Sequence, residues 1–543
     1  MTAEVTRAST YARNGAHRTP RERRELIGTG MPKAAGKALH ALAHLRVWQW
    51  RQALWDVRTT QLKQLRTIVG LAAQTEFGRG HGFASIRNHA DYARAVPLSD
   101  YDGHLPWLER MRTGESDILV PGFVENWGKS AGSSNRRREK ILPITDLQVR
   151  HQQRGGMDVL AAYLMGSGDR SFTDGFGMSI FPSILQTHQD VIRMSSNPAL
   201  MATRMPAISR RMTLPSRDLL VIADLEEKLT RIADRYLDHD VRSLMGTTCW
   251  FSVLFAKVLE AAQHRGSDAK TVSEIWPNLS VLFGGGVPAD PYRPLIRRLF
   301  GRDLILLDTY NATEGGILAA TDMSSGRAER GMTLVPHRGV FFEFVPVEDL
   351  GKPSPRRVPV WEVKKDQVYS IAVTTSSGLY AYQLGDFVRF TSVSPPRLEF
   401  AGRANGCLSL TQELMTQVEL EDAVAAAVAA VPSVTVDWGV GADVGVDGTS
   451  KSRYVVFVEF APDGAPSDLG AFGRAFDESL RKQNRAYREH RANDVAIVLP
   501  RVVKVPQGTT KAFLSEVTRG NVQGKFPRIL DEERVAIMER LVR

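Results

Sequence analysis

Cysteine is almost missing from this sequence: 543 residues contain two, Cys249 and Cys407. They lie far apart and have no histidines at metal-ligand spacing. That excludes a disulfide framework and a zinc pattern, and it fits a reducing compartment. Long apolar runs are missing too. The best stretch, residues 248–262, is broken by Ser252 and Lys257, and no run reaches the roughly 18 residues of a membrane span. The first 30 residues carry arginines at 7, 13, 18, 21, 23 and 24 but no apolar core, so no secretory signal is read there. Residues 1–34 are expected to form a basic disordered tail. Charge of one sign is not dominant: 70 basic residues face 60 acidic ones, a formal +10. With no basic run interleaved by aromatics, this argues against nucleic acid and suits an anionic small molecule. No internal repeat is present, and no Ser-His-Asp or Cys-His set assembles from spacing. His81, His104, His151 and His337 are scattered. The expectation is a cytoplasmic protein with neither a membrane nor a nucleic-acid partner, its oligomeric state undetermined.

What the chain does have is apolar content, 43%, enough for the cores of two or three domains. Apolar residues at helical spacing from Lys37 to Ala73, without proline, predict one or two amphipathic helices. A short strand is expected at Ile118–Val120. Thr145-Asp-Leu-Gln148 has the capping-box pattern and predicts a helix to about Leu164. Met178–Phe181 is expected as a strand, and Asp218–Asp238 and Ser243–His264 as helices, the second buried. A strand over Asn278–Phe283, a helix over Tyr292–Phe300 and a strand over Leu304–Leu307 suit a mostly parallel sheet with ligands at its carboxyl ends. Alternation from Val340 to Phe400 suggests an antiparallel or mixed region. Beyond about Arg403 come a helix (Met415–Val431), a strand (Arg453–Phe460), a helix (Leu469–His490), a strand (Val495–Leu499) and a helical pair. Loops are expected at Ala442–Ser450 and Pro462–Ser467. The fold class expected is α/β: a large N-terminal domain over 35–402 with β-sheets and packed helices, and a small mobile α+β domain over 403–543.

Three stretches could carry chemistry. Lys129–Thr145 sets Ser130, Gly132, Ser133 and Ser134 beside Lys129, Arg136, Arg137, Arg138 and Lys140. Backbone N–H groups there can approach a polyphosphate closely while the cations neutralise it. Gly128-Lys129-Ser130 imitates the end of a Walker loop, but Phe123 stands where its first glycine belongs. A serine-rich surface turn fits these residues as well. In Tyr310-Asn-Ala-Thr-Glu-Gly315 an aromatic ring can stack on adenine, Thr313 can donate to a phosphate, and Glu314 can hold Mg²⁺. In Leu384-Gly-Asp386 the carboxylate can accept both ribose hydroxyls. Each of the last two also reads as a plain turn.

The order and spacing of short motifs is more specific than any one of them. Thr75-Glu-Phe-Gly-Arg, Val96-Pro-Leu-Ser-Asp-Tyr, Arg112-Thr-Gly-Glu, Asp308-Thr-Tyr-Asn-Ala-Thr-Glu-Gly and Tyr382-Gln-Leu-Gly-Asp-Phe-Val-Arg-Phe flank the serine stretch. Together, from about Gln61 to Arg528, they resemble the auxin-responsive acyl acid–amido synthetase family, a branch of the adenylate-forming ligases. The resemblance implies phosphate contacts from Ser130, Gly132, Ser133 and Ser134, and a nucleotide held by Tyr310, Thr313 and Asp386, with Arg403 at an interdomain hinge. It implies Mg²⁺ on Glu314, and catalysis by a C-terminal lysine, Lys511 or Lys525. Two departures stand out: Asn135 and three arginines follow the serines, and Leu414 stands where relatives have lysine.

The function implied is ATP- and Mg²⁺-dependent activation of a carboxylic acid as an acyl-adenylate, then transfer to an amine, expected to be an amino acid. Thioester formation with coenzyme A and a non-catalytic nucleotide-binding scaffold are the rival readings. Met178, Phe181, Phe341 and Tyr382 are candidate lining for the acid, although each suits an ordinary core equally. Ala401–Gly406 is the expected pivot between domains.

Overall fold

The helical periodicity after Lys37 resolves into two helices, α1 (Lys33–Trp55) and α2 (Val57–Leu71). Asp56 separates them by accepting the Thr59 N–H at 3.1 Å as the cap of α2. The structure, a computed structural model, describes residues 33–543 apart from 130–139, 404–407, 409, 411–414, 445–451, 485–486, 489–490, 493–496, 518–524 and the positions 182, 185–186, 190, 223, 287–288 and 290–291. Ser130, Gly132, Ser133 and Ser134 therefore lie outside the described residues, as do 1–32 of the tail and 404–406 of the pivot.

In chain order there follow β1 (Asn126–Lys129), β2 (Ile141–Pro143), α3 (Asp146–Ser167), β3 (Phe176–Ile180), β4 (Thr187–Gln189), β5 (Ile192–Ser196), β6 (Thr213–Leu214) and β7 (Val241–Gly246). Next come α4 (Thr248–His264), β8 (Val281–Gly285), α5 (Arg293–Phe300), β9 (Ile305–Ala312), β10 (Gly316–Ala320), β11 (Met332–Leu334), β12 (Val340–Pro346), β13 (Val358–Pro359), β14 (Val368–Thr375), β15 (Tyr382–Val393) and β16 (Pro396–Arg403). The C-terminal part holds α6 (Gln417–Ala430), β17 (Thr435–Val444), β18 (Ser452–Phe460), α7 (Leu469–Gln483), β19 (Arg501–Val505), α8 (Thr509–Val517), β20 (Ile529–Leu530) and α9 (Glu532–Val542).

Twelve strands form one sheet in the order β13-β12-β14-β15-β16-β11-β10-β9-β8-β7-β3-β6. From β6 to β9 all pairs are parallel; from β9 to β13 all are antiparallel. Residues of the parallel half alternate between two cores. On β8, Leu282 joins Leu254, Phe255 and Val258 of α4, while Val281 joins Val159 and Ala162 of α3. Helices on both faces are what a parallel sheet requires. A smaller sheet, β2-β1-β5-β4, carries β1 toward the serine stretch. In the C-terminal sheet, β19-β18-β17-β20, Tyr454, Val456 and Val458 face α6 and α7, while Val455 and Phe457 face α8 and α9.

The mixed α/β class stands, and several local expectations change. Ile118–Val120 is buried but not a strand, because Asp117 takes φ 59° and its carboxylate accepts the Gly122 N–H at 2.8 Å, curling the segment. Ser243–Gly246 is the end of β7, not the start of a helix; parallel neighbours on both sides claim its backbone. Asp218–Asp238 breaks at Asp224, which caps a helix at Leu225–Tyr236. Thr145 does cap α3, accepting the Gln148 N–H at 3.2 Å, but its own N–H goes to Ser377 Oγ at 3.1 Å, not to Gln148. Of the strand expected at Val495–Leu499, 495 and 496 lie outside the described residues, Ile497 makes an isolated parallel bridge to Ser452, and the next strand is β19; β17 is an addition. The helix expected to His490 ends at Gln483.

At the expected pivot, Ala401–Arg403 are strand residues of β16. Gly402 pairs with Phe387 and takes φ 119°, which a side chain rarely adopts.

Candidate active site

Strand β9 delivers the central group. Tyr310, near its carboxyl end, donates its hydroxyl to Asp386 Oδ2 at 2.7 Å across the sheet, and both residues are buried. Asp386 sits on β15 directly opposite Arg403 of β16. Tyr310 is 9% exposed and Asp386 6%, so little more than an edge of each meets solvent. The Tyr310 bond thus fixes the direction of the Asp386 carboxylate.

The turn after β9 touches the strand that leads into the serine stretch. A Cβ on Gly128 of β1 would lie 2.8 Å from Thr313 Cγ2 and 2.6 Å from Ile144 Cδ1. A side chain there would crowd both, and this close approach brings the end of β1 against Thr313. Glu314 is buried at 9% exposure. Tyr382 is fully buried, and its hydroxyl has no hydrogen-bond partner among the described residues. Burial first, and the Glu314 charge next, push its pKa above the usual phenol range. Among the described residues no group of three or more His, Cys, Asp or Glu could hold a metal.

One strand over, β8 ends in Gly284-Gly285, and Gly286 follows directly. Gly285 pairs with Thr309, the residue before Tyr310. Thr309 Oγ1 donates to Gly284 O at 2.8 Å and fixes the turn. Lys525 reaches in from the C-terminal part, and its Nζ donates to Gly286 O. Gly286 takes φ 77°, and a Cβ there would overlap the Lys525 ammonium. Lys511 sits elsewhere, exposed and paired with Glu226. The structure thus separates the two candidate lysines.

Sequence reasoning missed the residues that hold Lys525 in place. Arg528 is buried beneath Trp438, its guanidinium 4.5 Å from the ring centroid, and donates to Trp438 O at 2.6 Å and to the Asp437 carboxylate. Its remaining arm donates to the hydroxyl of Tyr292, the residue before α5, at 2.8 Å. The Gly-Lys-Phe-Pro-Arg run that ends at Arg528 was the available signal. Glu459 was missed as well. It accepts the Gly508 N–H at 2.8 Å, the Thr510 N–H at 2.9 Å and the Thr510 hydroxyl at 2.6 Å, and so anchors the start of α8.

The four candidate lining residues are not brought into one wall. Phe341 and Tyr382 share a core cluster with Tyr310, whereas Met178 lies in the cluster around α4. Phe181 is half-buried, its carbonyl accepting from Lys228 Nζ at 3.1 Å. Nearer the turn, Gln148 and Gln152 of α3 are buried with Nε2 groups that have no partner among the described residues, and Gln152 packs on Gly316. Of the side chain of Arg403 nothing is described.

The chain resembles known proteins along most of its length. Family models described as the GH3 family N-terminal, central and C-terminal domains match residues 48–221, 332–403 and 418–534. A rice (Oryza sativa subsp. japonica) protein named probable indole-3-acetic acid-amido synthetase GH3.4 is 30% identical, over 83% of this chain and 82% of its own. The solved structure of AtGH3.15 acyl acid amido synthetase in complex with 2,4-DB superposes with a TM-score of 0.74 at 18% identity, covering 95% of this chain and 98% of that one. A 2-hydroxyisobutyryl-CoA ligase in its postadenylation state is more distant, with a TM-score of 0.57 at 14% identity, over 89% of this chain and 92% of that one. With three consecutive domain models along its length and a relative at that identity and coverage, this chain belongs to the GH3 family.

Proposed function

We propose that this chain is an ATP-dependent acid–amido synthetase, which activates a carboxylic acid as an acyl-adenylate and passes the acyl group to an amine, that of an amino acid. The observation that carries the reading is the convergence at the ends of β8 and β9. The Tyr310–Asp386 pair, the Gly128–Thr313 contact and docked Lys525 meet there.

Asp386, oriented by Tyr310, takes the ribose hydroxyls, and the ring of Tyr310 borders the base. Thr313 and the stretch Ser130, Gly132, Ser133 and Ser134 receive the phosphates, since Gly128 packs against the Thr313 turn. Glu314 fits Mg²⁺ arriving with ATP. It is a buried carboxylate beside the Tyr382 hydroxyl, and Mg²⁺ characteristically takes one or two protein carboxylates and completes its shell with phosphate oxygens and water. Bound there, the ion would neutralise charge on the leaving pyrophosphate.

The substrate carboxylate oxygen attacks the α-phosphorus, and the bond to the bridging oxygen breaks with its electron pair leaving on pyrophosphate. Lys525 Nζ, held on Gly286 O, stabilises the negative charge that builds on the α-phosphate. An amine nitrogen then attacks the acyl carbon, and AMP departs as a phosphate monoester instead of oxide, which is why ATP is consumed. The buried amide of Gln152, packed on Gly316 beside the turn, supplies a donor for the acid. The low cysteine content suits the cytoplasm.

The test is incubation with ATP, Mg²⁺ and a panel of acids, with hydroxylamine as trap. Hydroxamate and pyrophosphate in equal amounts are expected, and amide product when amino acids replace the trap. Thioester with coenzyme A and no amide would move the assignment to the acyl-CoA ligases. No pyrophosphate across a broad panel would leave a nucleotide-binding scaffold.

A further inference from the structure

Helix α1 is apolar on two faces, and the protein covers one of them. Ala43, Val47, Trp50 and Leu54 are buried against α3, and Trp50 Nε1 donates to Leu334 O at 2.8 Å. The opposite side presents Leu42 at 41% exposure, Leu45 at 49%, Trp48 at 57% and Trp55 at 90%. These are four of the twelve large exposed apolar side chains among the described residues, gathered within 14 positions of one helix. A helix apolar all round is normally covered all round. Trp48 and Trp55 are seven positions apart, so they stand almost in line, about 10 Å apart along the axis.

Within α1 the charge has one sign. Residues 33–55 contain Lys37 and Arg51, both exposed, and no acidic residue; the first acid after them is Asp56. Counted from Met1 to Trp55, the sequence has ten basic and three acidic residues. A tenth of the chain thus holds seven of its ten net positive charges.

We propose that the outer face of α1 docks on an anionic lipid surface. Tryptophan seats its ring at headgroup depth, leucines enter the acyl boundary beside it, and lysine and arginine on the flanks meet lipid phosphates. No helix in the described residues is long and apolar enough to cross a membrane, so the contact is peripheral. The earlier expectation of no membrane partner rested on the missing span, which does not bear on surface binding. The inference is independent of the proposed chemistry.

The experiment is flotation of the full-length chain with phosphatidylcholine vesicles, with or without about one third phosphatidylglycerol, at about 0.1 M and 0.5 M salt. Wild-type protein is expected to float with the anionic vesicles at low salt and much less at high salt. The doubly substituted Trp48→Ser/Trp55→Ser protein should lose at least tenfold in recovery while keeping the wild-type circular dichroism. Lys37→Glu, which leaves the apolar strip intact, should also lower recovery. Three outcomes overturn the proposal: no flotation of the wild type, equal recovery with neutral vesicles, or undiminished recovery of the double variant. A wild-type dimer by light scattering that the double variant dissolves would also overturn it, giving the strip to a second copy.

Discussion

Asp386 shows how one hydrogen bond converts a turn residue into a candidate ligand. Its carboxylate is buried, and the Tyr310 hydroxyl at 2.7 Å fixes its direction. Asp386→Ala is expected to weaken ATP binding by roughly 1.5–3 kcal/mol, or about ten- to hundredfold in Kd by calorimetry, with the fold intact by circular dichroism. Tyr310→Phe removes only the orienting bond and should cost about 0.5–1.5 kcal/mol. Unchanged affinity in the aspartate variant would remove it from the nucleotide site. Glu314→Gln removes the charge proposed to hold Mg²⁺ and should shift the Mg²⁺ dependence of pyrophosphate release to higher concentration. An unmoved titration curve would make Glu314 part of the turn only.

At the scale of elements, α6 carries a carboxyl group in an unusual state. Burial pushes Glu421 up to about 7 against the hydrogen bond from Gln417 at 2.7 Å and the charge of Arg528. The native state therefore holds a proton that the unfolded chain releases near the ordinary value of 4.5. Stability from this group is complete below that value and is lost as pH rises through about 7. The difference is on the order of 3 kcal/mol. Denaturant unfolding from pH 4 to pH 8 should show this decline in the wild type and a flatter profile in Glu421→Gln. Equal slopes in the two proteins would assign the decline to other groups. The element β16 imposes a different limit. Because Gly402 takes φ 119°, proline there would distort the strand that pairs with Asp386.

For the whole molecule, Lys525 on Gly286 and Arg528 on Tyr292 join the C-terminal part to the large sheet near the site, and Val418 packs on Phe387 and Ala401. Another link, Lys511 with Glu226, is on the surface. Exposed ion pairs contribute at most about 1 kcal/mol. Lys511→Ala should therefore leave pyrophosphate release within about threefold of wild type, whereas Lys525→Ala should lower it by about 10²–10³. Similar losses in both variants would contradict the assignment of Lys525. Tyr292→Phe breaks one interdomain bond and keeps the three contacts of Arg528 inside its own part. It should change acyl-adenylate formation and amide transfer by different factors, since only one arrangement of the parts has that bond.

The sequence by itself determined the family, the α/β class and the motif positions. Those follow from local order and spacing, which survive where overall identity is low. It also determined the helices with strong caps and unbroken periodicity, such as α2 and α3. Tertiary structure decided which strands pair, and so turned Ser243–Gly246 from apparent helix into β7 and Ile118–Val120 from apparent strand into a curled loop. Neighbouring backbone outweighs local propensity at both places. It alone joined Tyr310 to Asp386 across 76 positions, and Arg528 to Tyr292 across 236. It also set Lys525 against Gly286 and Lys511 against Glu226, although in the sequence the two lysines stand in similar glycine-bearing runs. The reason is reach: periodicity records the face a side chain takes within its own element, whereas a contact between distant elements depends on how sheets and helices stack.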